Sequence, residues 1–408
     1  MRTKLDPALP SPLLLAAAPH RLLFFIGAVN VLAAMAWWTL WLIEARWQSI
    51  GLPQPPIYAG QLHAIVLQYQ VLPPFIFGFL LTVFPRWTNQ KAFGRLRYLL
   101  VGGGLLLGQA LTWIGLLGPK AFLQAGAWLC LFGWGVGLLS LFGIVVRDRA
   151  RNEHAVSSAL AMSLGFVGLA LYAVSLYTTS PWPIFVAIKT GTFGLLLPIY
   201  FTVAHRMFPF FARNVVEGYV PWRPRWVLVA FWPFALLHLG LEIASELAWL
   251  WGADLPLLSL SLLFLWRNWP RKKAPPLLRV LFYGYVWLPV AMALYLAQSI
   301  KVLLTGAALL GRAPAHALFV GFFGSLLVAM VTRVTQGHSG RPLVLGKLLA
   351  FAFITIQLVA ILRIGAEFKK DFWAWQAIAA AGWILAFLPW VLRSAYIYLT
   401  PRVDGKPG

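Results

Sequence analysis

The chain has 408 residues, 61% of them hydrophobic and 11% charged, with a mean hydropathy of +0.78; that leaves too little polar surface for a water-soluble body, so its solvent is lipid. The net charge of +22 comes from Lys and Arg in short clusters between apolar runs, which sets membrane topology and offers no groove for nucleic acid. A single cysteine, Cys130, excludes an internal disulfide and any cysteine-based zinc or iron–sulfur site.

Residues 1–21, MRTKLDPALPSPLLLAAAPHR, hold an apolar run that is short and broken by Pro10 and Pro12, so they read as a cytoplasmic lead-in and not as a cleaved signal. From there, apolar runs of about 20 residues, long enough to cross a ~30 Å hydrocarbon core, follow one another to the end. They cover 22–44, 62–84, 98–117, 121–146, 156–178, 183–205, 226–245, 247–266, 280–300, 313–332, 345–365 and 372–395. The third and fourth, and the seventh and eighth, are separated by little more than a turn. The expected fold class is all-α: one polytopic membrane domain over 1–408, with twelve transmembrane helices and no soluble domain.

Basic residues test that count, because Lys and Arg concentrate in cytoplasmic loops. Of 33, 25 fall on one side of the scheme, from Arg2, Lys4 and Arg21 at the start to Arg393, Arg402 and Lys406 at the end. Both termini are thus expected in the cytoplasm. Arg46, Lys301 and Arg312 fall on the other side, and Lys189 lies inside the sixth span.

Ionisable groups at membrane depth cost several kcal/mol unless partnered, so they mark function. His154, in RDRARNEH, falls in a cytoplasmic loop and reads as solvated. His20, His205 and His338 stand at inner span ends beside Arg21, Arg206 and Arg341, where a histidine serves as an interfacial anchor or, since all three share one depth, as part of an inner metal site. His238 is mid-span in the seventh run, suited to a hydrogen bond with a neighbouring helix. Lys189, two turns into the sixth, is expected to snorkel outward or, second, to pair with an acid.

His63 and His316 begin the second and tenth spans on the outer side. Two neutral imidazoles there suit axial ligation of a haem iron, with interhelical hydrogen bonding as the alternative. Arg46, Arg312 and Lys301 could pair with haem propionates. Counting from His63 to Arg86 and from His316 to Arg333 predicts depths that differ by ~9 Å, which a bend at Pro73 and Pro74 would reduce. A cofactor-free secondary transporter, with Lys189, Gln68 and Gln70 as midplane ligands, is the competing class.

Three stretches carry a family resemblance. In the tenth span and its exit, HALFVGFFGSLLVAMVTRVTQGHSGRPL, the matching positions are His316, Met330, Arg333, Gly337, His338, Gly340 and Arg341. The second span has His63 followed by GFLLTVFPRWT from Gly78 to Thr88, and AHRMFPFF contributes Arg206, Pro209, Phe210 and Phe211. The chain resembles the NnrS family of bacterial membrane proteins, which contain haem and copper and are associated with denitrification and the response to nitric oxide.

The resemblance implies an inner-membrane protein with haem b, acting by binding nitric oxide, passing electrons from a donor, or keeping cellular iron from nitrosylation. It implies His63, His316 and His338 as ligand candidates, with Arg333 and Arg341 available to an anion or to propionates on the cytoplasmic side. The family's His-x-His-Glu-Met motif aligns its first His with His63, and Ile65, Val66 and Leu67 then replace the second His, the Glu and the Met. Aliphatic side chains bind no metal, which places copper in doubt. The layout is similar to haem–copper oxidase subunit I only in that its second and tenth helices carry haem histidines.

Overall fold

An uninterrupted apolar chain in lipid can satisfy its backbone polar groups only internally, and the helix does so within each segment. The computed structural model describes residues 10–405, so Arg2, Lys4 and Lys406 lie outside the described residues. Among these the secondary structure is helical throughout, with no strand. Twelve helices are long and apolar enough to cross a membrane. They are α1 (Pro19–Trp47), α2 (Ala59–Trp87), α3 (Arg95–Leu117), α4 (Lys120–Arg147), α5 (Glu153–Ser175), α6 (Trp182–Arg213), α7 (Arg225–Ile243), α8 (Leu247–Asn268), α9 (Pro276–Thr305), α10 (Ala313–His338), α11 (Lys347–Ala366) and α12 (Phe372–Leu399). Each expected span falls on one helix, and the tight turns sit at Leu117–Lys120 and Ile243–Leu247 as the sequence indicates.

Local chemistry sets the ends. Proline opens α1 and α9, where its missing N–H costs nothing. The Asn152 side chain accepts from the amides of His154 and Ala155 to cap α5, and Asp371 accepts from Ala374 to cap α12. Gly306, at φ +69°, closes α9 in a left-handed conformation that a side chain would disfavour.

An even number of crossings brings both described ends of the chain to one end of the bundle, here called the terminal end. There Ser11 N–H donates to Leu399 O at 2.7 Å, and the buried Arg21 guanidinium donates to Tyr398 O at 3.1 Å and Thr400 O at 3.0 Å. Burial singles out the centre: 89% of the most apolar stretch of α2 and 78% of those of α6 and α10 are covered by protein, against 39% for α7, α8 and α11. The outer helices instead show Leu139, Val146, Ile354 and Leu358 to lipid.

All three central helices widen into a π-helical turn, at Leu67–Val71 in α2, Thr190–Leu196 in α6 and Ala317–Gly324 in α10. Proline explains two of them. Pro73 and Pro74 supply no hydrogen to the turn before them, and Pro198 leaves Gly194 O, inside the α6 turn, without its helical donor. Gln70 O, released in this way, accepts instead from Asn30 Nδ2 (3.1 Å) on α1 and Gln109 Nε2 (2.6 Å) on α3.

Candidate functional site

The π turns border one cavity at the end of the bundle opposite the termini. Its volume, counted as the space open to the centre of a water-sized sphere, is about 320 Å³. In α2 it is lined by His63, Ala64, Leu67, Gln68, Val71 and Leu72; in α6 by Ile188, Lys189, Thr192 and Phe193; in α10 by Ala315, His316, Phe319, Val320 and Gly324. The lining recurs every four residues. In a straight α-helix a step of four drifts ~40° around the axis, and the wide turns absorb that drift, so each helix keeps one side on the cavity over several turns.

Tyr69 and Gln68 lock α2 to α6. Tyr69 OH donates to Ala187 O at 2.5 Å and Gln68 Nε2 to Thr192 Oγ1 at 2.9 Å. Gly191 permits this approach, since a Cβ there would run into Gln68 Oε1 and Tyr69 OH.

His63 and His316, the fifth residue of α2 and the fourth of α10, both border this cavity about one turn inside the distal end, so the expected depth offset does not separate them. The His316 ring places Nδ1 at 2.9 Å from Arg312 O, which fixes the hydrogen on Nδ1 and leaves Nε2 as the free lone pair. His63 lies flat on Trp38, with ring centroids 4.2 Å apart and planes 11° from parallel, and makes no hydrogen bond to any described residue. Each imidazole is thus oriented while keeping a nitrogen for an incoming ligand. Three buried polar atoms on the wall lack a partner among the described residues: Gln68 Oε1, Gln376 Nε2 and Trp383 Nε1. Buried polar atoms are ordinarily satisfied, so these mark contact points for an occupant.

Cations favour a negatively charged occupant. Lys189, Arg312 and Arg363 line the cavity with one carboxylate, Glu242. Glu367 holds Arg363 at 2.6 Å and accepts the Arg312 N–H at 3.2 Å, while the Arg312 guanidinium has no ion pair among the described residues. Two other outer cations do not take part. Arg46 pairs with Asp371 at the distal surface at 2.9 Å, and Lys301 does not border the cavity.

The expected snorkelling of Lys189 is overturned: its Nζ lies 2.9 Å from Glu242 Oε2. Behind that pair, His238 Nδ1 meets Asp254 Oδ1 at 2.6 Å, in full burial. His238 therefore does find a partner on a neighbouring helix, as its mid-span position suggested. Glu242 and Asp254, the acids of this network, went unnoticed in the sequence, although His238 and Glu242 are spaced one turn apart on one face of α7.

The remaining site candidates lie at the terminal end and none borders the cavity. His338 and His20 face each other, with ring centroids 4.3 Å apart. His205 joins neither, because its Nδ1 lies 2.9 Å from His154 Nε2. The inner trio is thus split, His20 with His338 and His205 with His154, and no group of three or more His, Cys, Asp or Glu able to hold a metal ion occurs among the described residues. His154 is 1% exposed and not solvated: Asn152 caps α5 just before it, which turns the ring inward. Arg333 stacks over Phe211 at 4.1 Å, and Arg341 is half-buried with its Nη1 unpartnered among the described residues. Of the aliphatic residues at the family's metal motif, Ile65 and Val66 are buried in protein and Leu67 lines the cavity.

Among curated proteins none matches the chain. The family model described as NnrS protein matches residues 14–402, so that it spans α2, α10 and everything between them, and the chain belongs to the NnrS family.

Proposed function

We propose that this is a haem-binding protein of the bacterial inner membrane, with both termini cytoplasmic and one haem b held between α2 and α10 by His63 and His316. The observation that carries the reading is that the two imidazoles, 253 residues apart in sequence, border one cavity with a ring nitrogen free on each. Arg312 is the side chain available to a propionate, and Gln68, Gln376 and Trp383 would offer polar contacts to the bound group. A haem held by His63 and His316 would supply one-electron transfer. The protein's share is to fix the imidazoles, through the Arg312 carbonyl and the Trp38 face, and to exclude water with Phe319, Val320 and Ala380.

A role in nitric oxide metabolism or nitrosative stress rests on family membership alone. The residues aligned with the family's second His, Glu and Met are the aliphatic Ile65, Val66 and Leu67, which offer copper no ligand. Absorption spectroscopy of the purified protein tests the reading. A Soret band characteristic of two histidine ligands is expected, displaced or lost in both His63→Ala and His316→Ala and retained in His338→Ala. A chain that takes up no haem from an adequate supply, or a spectrum unchanged in both distal variants, refutes it.

A further inference from the structure

Four ionisable side chains from three helices meet on the cavity wall: Lys189 on α6, His238 and Glu242 on α7, and Asp254 on α8. Lys189 and Glu242 face the cavity, while His238 and Asp254 are fully buried behind them, with Tyr295 of α9 edge-on to the His238 ring at 5.0 Å. These are the titratable groups that face Glu242. Nothing in axial ligation requires them, and four such groups at membrane depth are costly unless they act together.

We propose that Glu242 is a proton-loading site on the cavity wall: its carboxylate stays ionised while Lys189 is its partner, and takes up one proton when negative charge in the cavity draws the ammonium away. The wall geometry favours this role. Lys189 Nζ lies 2.9 Å from Glu242 Oε2 and both side chains line the cavity, so the ammonium can exchange one anion for another. Once the ammonium turns away, an ionised carboxylate in that setting has lost its counter-charge, and protonation is the cheaper state. His238 grades the response. Its Nδ1 is held by Asp254, and its unpartnered Nε2 lies 3.9 Å from Glu242 Oε1, outside hydrogen-bond distance but placed to accept from the carboxyl once that is protonated and turns toward it. The bond formed is the O–H of Glu242 and the bond broken is an O–H of a hydronium ion entering by the distal mouth beside the exposed Tyr58, which leaves water. On the haem reading, that charge would be the one electron that a one-electron donor supplies to the cavity's occupant.

Infrared difference spectroscopy on the full chain, in ordinary and heavy water at neutral pH, tests the site without haem. Lys189→Gln should gain the absorption of a protonated carboxyl group, absent from the wild type and from Lys189→Arg, and the double variant Lys189→Gln with Glu242→Gln should lose it. No new absorption in Lys189→Gln, or one that survives in the double variant, overturns the proposal. Should Lys189→Gln fail to fold, the haem-loaded wild type decides: its midpoint potential should fall by up to about 59 mV per pH unit, the equivalent of one proton per electron, and the slope should flatten in Glu242→Gln. Equal slopes overturn the proposal while leaving the haem in place. A chain that binds no haem fails the haem reading instead, and the infrared result still judges the proton site.

Discussion

The π turn of α2 depends on two side chains that do not line the cavity, and removing them should break it cooperatively. Gln70 O receives nothing from Pro73 or Pro74 and is held by Asn30 Nδ2 at 3.1 Å and Gln109 Nε2 at 2.6 Å. Interhelical hydrogen bonds inside membrane proteins are worth ~0.6 kcal/mol on average. Gln109→Leu should therefore cost about that much, because Asn30 still satisfies the carbonyl. Asn30→Leu should cost somewhat more, about 1–2 kcal/mol, since Asn30 Oδ1 also accepts from Trp113 Nε1 at 3.1 Å. The double variant leaves a buried carbonyl with no donor, a penalty of about 1–3 kcal/mol that neither single change incurs. Its loss should thus exceed the sum of the singles by at least ~1 kcal/mol. Denaturant unfolding in detergent, followed by circular dichroism, measures all four proteins. The same double variant should lose haem retention, because the turn carries Gln68 onto the cavity wall. Simple additivity of the two losses would refute the assignment of both donors to one carbonyl.

Arg312→Gln should weaken haem retention ~10-fold, the value of one charge-assisted hydrogen bond, and Arg333→Gln at the terminal end should not; competition with a soluble haem acceptor measures both. Arg21→Met removes two bonds to the carbonyls of Tyr398 and Thr400 and should cost about 2–4 kcal/mol; faster proteolysis after Leu399 reports it, and an unchanged cleavage rate refutes the tie. At the distal surface, the Arg46 guanidinium and then the Ala374 amide hold Asp371 below the usual carboxylate range. A depressed carboxyl stabilises the fold above its unfolded pKa of ~3.9, and that contribution fades as pH falls through the lower folded value. Asp371→Asn should therefore lower thermal stability slightly near neutrality and converge with the wild type in acid; a gap that widens on acidification contradicts the pairing.

Membrane physics made the fold legible, because a helix must run a fixed length and basic loops must alternate, so twelve spans could be counted from hydropathy and charge alone. The same phase put His63 and His316 at one end of two helices that run in the same direction. What escaped was everything that needs a neighbour. Lys189 and Glu242 are 53 residues apart and Asp254 lies on a third helix, so each looked like a lone charge until α6, α7 and α8 were placed side by side. His154 looked solvated because a loop was expected where Asn152 in fact begins a helix.

The π turns escaped for a different reason. Pro73, Pro74 and Pro198 hint at two of them, but the turn at Ala317–Gly324 has no following proline; there the helix meets α9 closely enough that a Cβ on Gly321 would strike Trp287 at 2.5 Å. The widening is thus a property of how α10 is packed and not of its own sequence. Its consequence is functional. A straight α10 that presented His316 to the cavity would carry Phe319, Val320 and Gly324 progressively around its axis, and the wall would open after one turn. Three independent wide turns, in the three most enclosed helices and against one cavity, keep His63, Lys189 and His316 along one continuous wall, so the candidate site lies where the regular helix is given up.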